Sequence, residues 1–89
     1  MGTIILTTEK LLKKEGTKTV FLTESKDQKT IDLDFYRNMT SESTISFFRR
    51  IGGTETITRE YTSRGYTITK IVSTSPNKEN KTIRTFNFL

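Results

Sequence analysis

Arginine, lysine and aromatic side chains are interleaved in the second half of the chain, and this pattern has the clearest chemical meaning. Cations neutralise phosphates and aromatic rings stack on unpaired bases, so such a set is typical of a nucleic-acid surface. We expect Tyr61 and Tyr66 to stack on bases. The residues expected to contact phosphates are Arg59, Arg64, Lys70 and Arg84. The candidate binding residues are Arg49, Arg50, Arg59, Tyr61, Arg64, Tyr66, Lys70 and Arg84.

The same residue types also anchor protein–protein interfaces, where arginine and tyrosine are frequent hot spots. The alternative function is therefore an inhibitor or adaptor that binds an acidic host protein. The abundance of Lys, Asn, Ile and Phe, with no Ala, indicates an AT-rich coding sequence, as in many phages and mobile elements. A basic patch alone does not separate the two kinds of partner.

Two carboxylates, Asp32 and Asp34, stand two residues apart in a segment that alternates apolar and polar residues. In a strand they would share one face and could hold Mg²⁺ as in a nuclease, which is the third hypothesis. Such a site needs a further acid and a lysine, for which Glu24 and either Lys18 or Lys29 are candidates. Nothing marks a nucleophile or a base, so we predict a protein that is not an enzyme, with no catalytic residue, metal ligand or cofactor.

Composition narrows the possible chemistry further. The chain has no His and no Cys, which excludes the commonest general base and the thiolate and imidazole metal sites. Its formal net charge is +5, and the whole excess lies in residues 46–89, which hold eight basic and three acidic residues. Residues 1–45 hold seven of each. A basic second half favours an anionic partner.

The elements that must position these residues are mostly strands, because 18 threonines and the absence of Ala favour β-structure over helix. Residues 3–7 predict a strand, and residues 8–15 predict either a helical turn ending at Gly16 or a connection between strands. Residues 17–24 and 30–37 predict a hairpin that turns at residues 25–29. In its second strand Ile31, Leu33 and Phe35 would face the core.

Residues 40–51 give the best-defined helix. Thr40 or Ser41 can cap it, and Gly52 and Gly53 end it. Ile45 and Phe48 form an apolar stripe, and Ile51 is a further candidate for it. Phe47 either belongs to a wide version of that stripe or is exposed as a partner contact.

Residues 54–61, 66–74 and 82–89 predict a three-stranded meander. A two-residue turn at Arg64–Gly65 pairs Arg59 with Lys70 and leaves Ile71 on a polar face, whereas a three-residue turn with a bulge gives a competing register. We favour the first register because it gathers the other apolar side chains on one face. Its directly opposed cations destabilise a hairpin unless an anion lies between them. In the last strand Arg84, Phe86 and Phe88 share one face.

The chain is thus predicted to be a single α+β domain, residues 1–89, with an antiparallel sheet of about five or six strands. One main helix, residues ~41–51, packs on one face, and the C-terminal meander carries the binding residues. The final strand is the candidate edge for a homodimer. No apolar run is long enough for a membrane span and no secretory signal is visible, so we expect no membrane partner and a cytoplasmic protein.

Overall fold

The computed structural model describes residues 3–62 and 65–88, and the side chains of these residues except those of Gly52, 60–62 and 65–69. The chain forms a five-stranded antiparallel sheet with two helices on one face, which confirms the α+β class and adds a second helix. In chain order the elements are β1 (Ile4–Lys13), β2 (Phe21–Ile31), α1 (Leu33–Met39), α2 (Glu42–Gly52), β3 (Thr54–Thr62), β4 (Gly65–Thr74) and β5 (Asn80–Phe88). Across the sheet the strand order is β2-β1-β5-β4-β3.

Strands β1 and β2 form a long hairpin that continues through two polar segments. The prediction of a turn at residues 25–29 is wrong, and the prediction of a helical turn or connection at residues 8–15 is wrong as far as Lys13, after which residues 14–20 connect the two strands. β1 is paired on both sides, with β2 and with β5, so its polar residues are held in two ladders. Across the hairpin Thr23 donates a hydrogen bond to the Glu9 carboxylate at 2.8 Å, and Gln28 donates one to Thr7 at 3.2 Å. Such cross-strand pairs stabilise a strand that has little apolar burial of its own.

Residues 33–39 form a helix, so the predicted hairpin between residues 17–24 and 30–37 is wrong. The Asp32 carboxylate caps α1 by accepting a hydrogen bond from the Phe35 backbone N–H at 2.8 Å. The residue that α1 buries is Tyr36, whose ring packs edge-on against Phe86 and Phe88 with centroids 5.2 and 4.8 Å away. A strong N-cap residue therefore outweighs the alternating apolar pattern, and Phe35 is left exposed.

Helix α2 lies where the sequence predicts it. Its N-cap is Ser41, whose hydroxyl accepts a hydrogen bond from the Thr44 N–H at 3.4 Å. Gly53 ends the helix with a φ of 81°, and its N–H donates to the Arg49 carbonyl at 3.1 Å. Ile45 is buried in the core, as predicted. Phe47 is 46% exposed and so does not belong to the buried stripe.

The β3–β4 hairpin has a different register from the one we favoured. Ile57 pairs with Ile71, and Arg59 pairs with Ile68 because a bulge precedes it. The opposed pair of Arg59 and Lys70 therefore does not form. Ile71, predicted on the polar face, is fully buried beneath the helices. The pairing from residue 54 to residue 58 follows the competing register, and the bulge changes it beyond that point.

Strand β5 is central in the sheet, between β1 and β4, so the prediction that it is an edge strand is wrong. Its C-terminal part is tied into the sheet, and its alternation is as predicted: Phe86 is buried under the helices, whereas Ile83 and Thr85 lie on the other face. The core joins Phe86 to Ile4 and Leu6 of β1, among others. Neither helix of the described chain is long and apolar enough to cross a membrane.

Candidate binding surfaces

The predicted binding residues do not lie on one surface. Lys70 is exposed on the sheet face that carries no helix, whereas Arg84 lies on the helix-covered face. Arg49 and Arg50 are exposed in the last turn of α2, and Arg59 is exposed on the edge strand β3. The remaining candidates lie outside the described side chains: Tyr61, Arg64 and Tyr66.

The side chains on the helix-free side of the sheet form regular rows across the strands, and we call this surface the open face. The register aligns a first row of Gln28, Thr7, Thr85, Lys70 and Thr58. It aligns a second row of Lys26, Glu9, Ile83, Val72 and Thr56. It aligns a third row of Thr23, Leu11, Lys81, Thr74 and Thr54. Phe21 and Lys13 extend the face at the end of the β1–β2 hairpin.

The charges of these rows are predominantly positive. Among the side chains that the structure describes on this face, four lysines stand against one carboxylate, that of Glu9, which already accepts a hydrogen bond from Thr23. With strands about 4.8 Å apart and same-face residues about 6.8 Å apart, neighbouring lysine positions are about 8 to 14 Å apart. The open face therefore presents spaced cations on a flat surface. These cations are Lys13, Lys26, Lys70 and Lys81.

Sequence reasoning identified only one of these four lysines. It missed Lys13 and Lys26 because it placed residues 8–15 in a turn or connection and residues 25–29 in a turn, where no common face exists. It missed Lys81 because it assigned this residue to the loop before β5, whereas Lys81 pairs with Leu11 and Thr74. Extending β1 and β2 through their polar segments would have placed Lys13 and Lys26 on strands, but the common face also depends on the sheet order and on the shift in register between Lys10 and Leu11.

A cavity of about 150 Å³ opens on the helix side, between α2 and the centre of the sheet. Its apolar wall belongs to α2, and its polar wall comes from β4, β5 and the loop between them. The lining residues are Phe48, Ile51, Ser73, Ser75, Asn80, Thr82 and Arg84. A cavity with a few convergent polar groups is the usual form of a binding site.

The Arg84 side chain lines this cavity and packs against the protein interior. Its guanidinium lies over the Phe48 ring, 4.0 Å from the centroid, and burial lowers its pKa, with Glu55 acting in the opposite direction. The Glu55 side chain is fully buried, with Oε1 3.7 Å from Arg49 Nε. Burial raises the pKa of Glu55, against the charges of Arg49 and Arg84 and the neighbouring Ser73 hydroxyl. Two cations therefore surround one buried carboxylate.

Asp32 and Asp34 do not have the geometry that suggested a nuclease. Asp32 caps α1 and Asp34 lies in its first turn, so the two carboxylates do not share a strand face. Within residues 3–62 and 65–88, no three carboxylates come together in a way that could hold a metal ion. No protein-family model, curated protein or solved structure matches this chain.

Proposed function

We propose that this protein is a non-enzymatic binding module that takes nucleic acid on the open face. The observation that carries the proposal is the set of four lysines spread over an uncovered five-stranded surface, where the one carboxylate among the described side chains is engaged by Thr23. Nucleic acids present a dense row of phosphate charges, and lysines that neutralise them supply most of the sequence-independent affinity. The open face replaces the C-terminal meander alone as the binding surface.

The proposed contacts are to the phosphate–sugar backbone. The centre of the open face is aliphatic and hydroxylic, and among its described side chains Phe21 is the one aromatic ring. That ring lies at the end of the hairpin with the Lys81 ammonium 4.2 Å from its centroid. Threonine hydroxyls such as that of Thr85 add neutral donors for phosphate oxygens. We therefore expect tolerance of base sequence.

The salt dependence of binding can be calculated from the number of phosphate contacts. Four phosphate contacts give a slope of log K against log salt of about −2.8 for a single strand and about −3.6 for a duplex. Between about 50 and 200 mM salt, affinity then falls by about 50-fold for the single strand and about 150-fold for the duplex. The measured slope reports how many lysines are engaged.

Two double variants distinguish the effect of removing open-face lysines from the effect of lowering the net charge. Lys70→Gln with Lys81→Gln removes two open-face cations, whereas Lys10→Gln with Lys29→Gln removes two from the helix side. Fluorescence anisotropy with a labelled oligonucleotide should show that the first variant halves the salt slope and weakens binding, and that the second keeps the wild-type slope. Equal losses in both variants, or no binding by the wild type at low salt, would refute the proposal.

A further inference from the structure

Part of the helix side of the sheet is left uncovered beside α2. Helix α1 covers the end of the sheet at Phe86 and Phe88, and α2 packs over β3 and β4. The register leaves the β1–β2 hairpin beyond Thr8, together with the start of β5, without a helix above it. We call this surface the α2 groove. Its residues are Lys10, Leu12, Leu22, Asn80, Thr82 and, on α2, Phe47 and Ile51.

Apolar side chains border the groove on both sides. Leu12 and Leu22 are cross-strand partners, exposed at 43% and 56%. On α2, Ile51 is 56% exposed and lies one turn beyond the exposed Phe47. Ile51 and Asn80 line the same cavity, and Asn80 is the cross-strand partner of Leu12. The register therefore places exposed apolar residues of the hairpin on the same sheet face as the cavity that Ile51 lines, and such a grouping is typical of an interaction site.

The charges around the groove are mainly positive. Lys10 is exposed on its floor, and Arg50 lies at its α2 wall with its guanidinium 5.7 Å from the Phe47 ring centroid. Arg84 lines the cavity at the foot of the same wall. Of the nearby carboxylates, that of Glu55 is buried against Arg49 and does not face the groove, whereas that of Asp27 is exposed on the same sheet face at the edge of the groove, opposite Thr8. A ligand that fits these charges is acidic.

The exposed apolar residues and the positive charges of the α2 groove favour one kind of binding partner. Exposed leucine, isoleucine and phenylalanine favour a protein over a nucleic acid, whose surface is dominated by phosphate. A second copy of this chain, at net charge +5, would bring like charges together. We infer that the α2 groove docks an acidic, apolar-containing segment of another protein, with a carboxylate directed at the cavity that Arg84 lines. This inference is independent of the open face.

The test is a titration of the ¹⁵N-labelled protein with synthetic peptides of about twelve residues, followed by NMR. The probe alternates leucine and glutamate, one control alternates leucine and lysine, and another alternates serine and glutamate. We expect the leucine–glutamate peptide to shift the amide signals of Leu12, Ile51, Asn80 and Thr82, and the two controls to leave them unchanged. Groove signals that stay fixed up to about 1 mM peptide, or that move equally with the basic peptide, would overturn the inference.

Two substitutions in the groove and one outside it complete the test. Leu12→Ser and Ile51→Ser should each weaken the leucine–glutamate peptide by about fivefold, because each removes a half-exposed apolar side chain from the contact. Leu33→Ser is the matched control, since Leu33 is 44% exposed but lies at the start of α1. All three sites are exposed, so the variants should keep the wild-type spectrum. A loss at Leu33→Ser equal to the other two would contradict the placement of the site.

Discussion

Replacing Gly53 with alanine tests how closely the α2–β3 junction packs on the loop between β4 and β5. An added Cβ would lie 2.7 Å from the Pro76 nitrogen, 2.9 Å from the Pro76 Cα and 3.0 Å from the Thr74 carbonyl oxygen. These are backbone atoms, which cannot rotate away as the end of a side chain can. The junction must therefore move apart, and Ser75 and Ile51, which line the cavity, lie at either side of it.

Gly16 supplies the matched comparison for this substitution. Both glycines have a positive φ, 80° at Gly16 and 81° at Gly53, which costs an L-residue at least about 1–2 kcal/mol. The ψ of −67° at Gly53 adds to this cost, because that combination lies outside the left-handed helical region and is strained for an L-residue. Alanine at Gly16 meets nothing within 4 Å, so it carries the cost of the positive φ alone. At Gly53 overpacking adds about 1–3 kcal/mol, for a total of at least about 2–5 kcal/mol. This is a large part of the total stability of about 4–13 kcal/mol expected for a domain of 89 residues.

The assay is thermal and urea unfolding followed by circular dichroism. At about 4–8 °C per kcal/mol, Gly53→Ala should melt about 4–24 °C below Gly16→Ala. Its groove amide signals should also shift, because the cavity walls move. Equal melting temperatures for the two variants would show that the packing of Gly53 against Pro76 does not contribute, and would refute the reasoning.

Two further predictions concern the α1 cap and the buried carboxylate. Asp32→Ala should cost about 0.5–2 kcal/mol in urea unfolding because it removes the cap of α1, and Asp34→Ala should cost less because Asp34 contributes only to the helix dipole. A larger loss at Asp34 would contradict the assignment of the cap. Because the pKa of Glu55 is raised above 4.5 in the fold, the folded protein holds that proton more tightly than the unfolded chain does. The contribution of Glu55 to stability is therefore greatest below pH 4.5 and falls as pH rises through the folded pKa. Glu55→Gln lacks this dependence, so its stability relative to wild type should increase between pH 4.5 and neutral pH in urea titrations; a constant difference would contradict it.

The C-terminal half could largely be predicted from its sequence because its signals are local. Ser41 and Gly53 mark the ends of α2, and three periodic segments give the meander. The register of β3 and β4 could not be predicted, since it depends on a bulge at Arg59 and on which apolar residue α2 covers. That residue is Ile71, and its burial follows from the packing of α2 on the sheet, which the sequence alone does not indicate.

The N-terminal half was harder to predict because its structure depends on distant pairing. β1 stays a strand through Glu9 and Lys10 because β5, more than 70 residues away in the chain, pairs with it on one side. β2 is an edge strand with almost no burial, so its sequence has no periodic apolar signal. In α1 one capping aspartate, Asp32, reverses an alternating pattern that favours a strand. The secondary structure of this half is therefore determined by pairing between distant strands and by one helix cap, and the local apolar pattern does not predict it.

The residues of the candidate surfaces could be predicted only in part, for the same reasons. The basic character of the chain and Lys70 were visible in the sequence, but the open face unites lysines from β1, β2, β4 and β5. Arg84 has a suitable residue type for phosphate, yet it lies over Phe48 beside the buried Glu55. Which cations point to solvent depends on the sheet order, which composition does not contain.

The most direct test of the proposed function is methyl NMR of the protein during titration with a short oligonucleotide. Successive strand residues point to opposite faces, so methyl signals report which face is contacted. Binding on the open face should shift the methyl signals of Thr85, Ile83 and Val72 and leave those of Ile71 and Thr82 on the helix side unchanged. Shifts confined to the helix side, or no shifts at low salt, would contradict the assignment of the open face as the nucleic-acid surface.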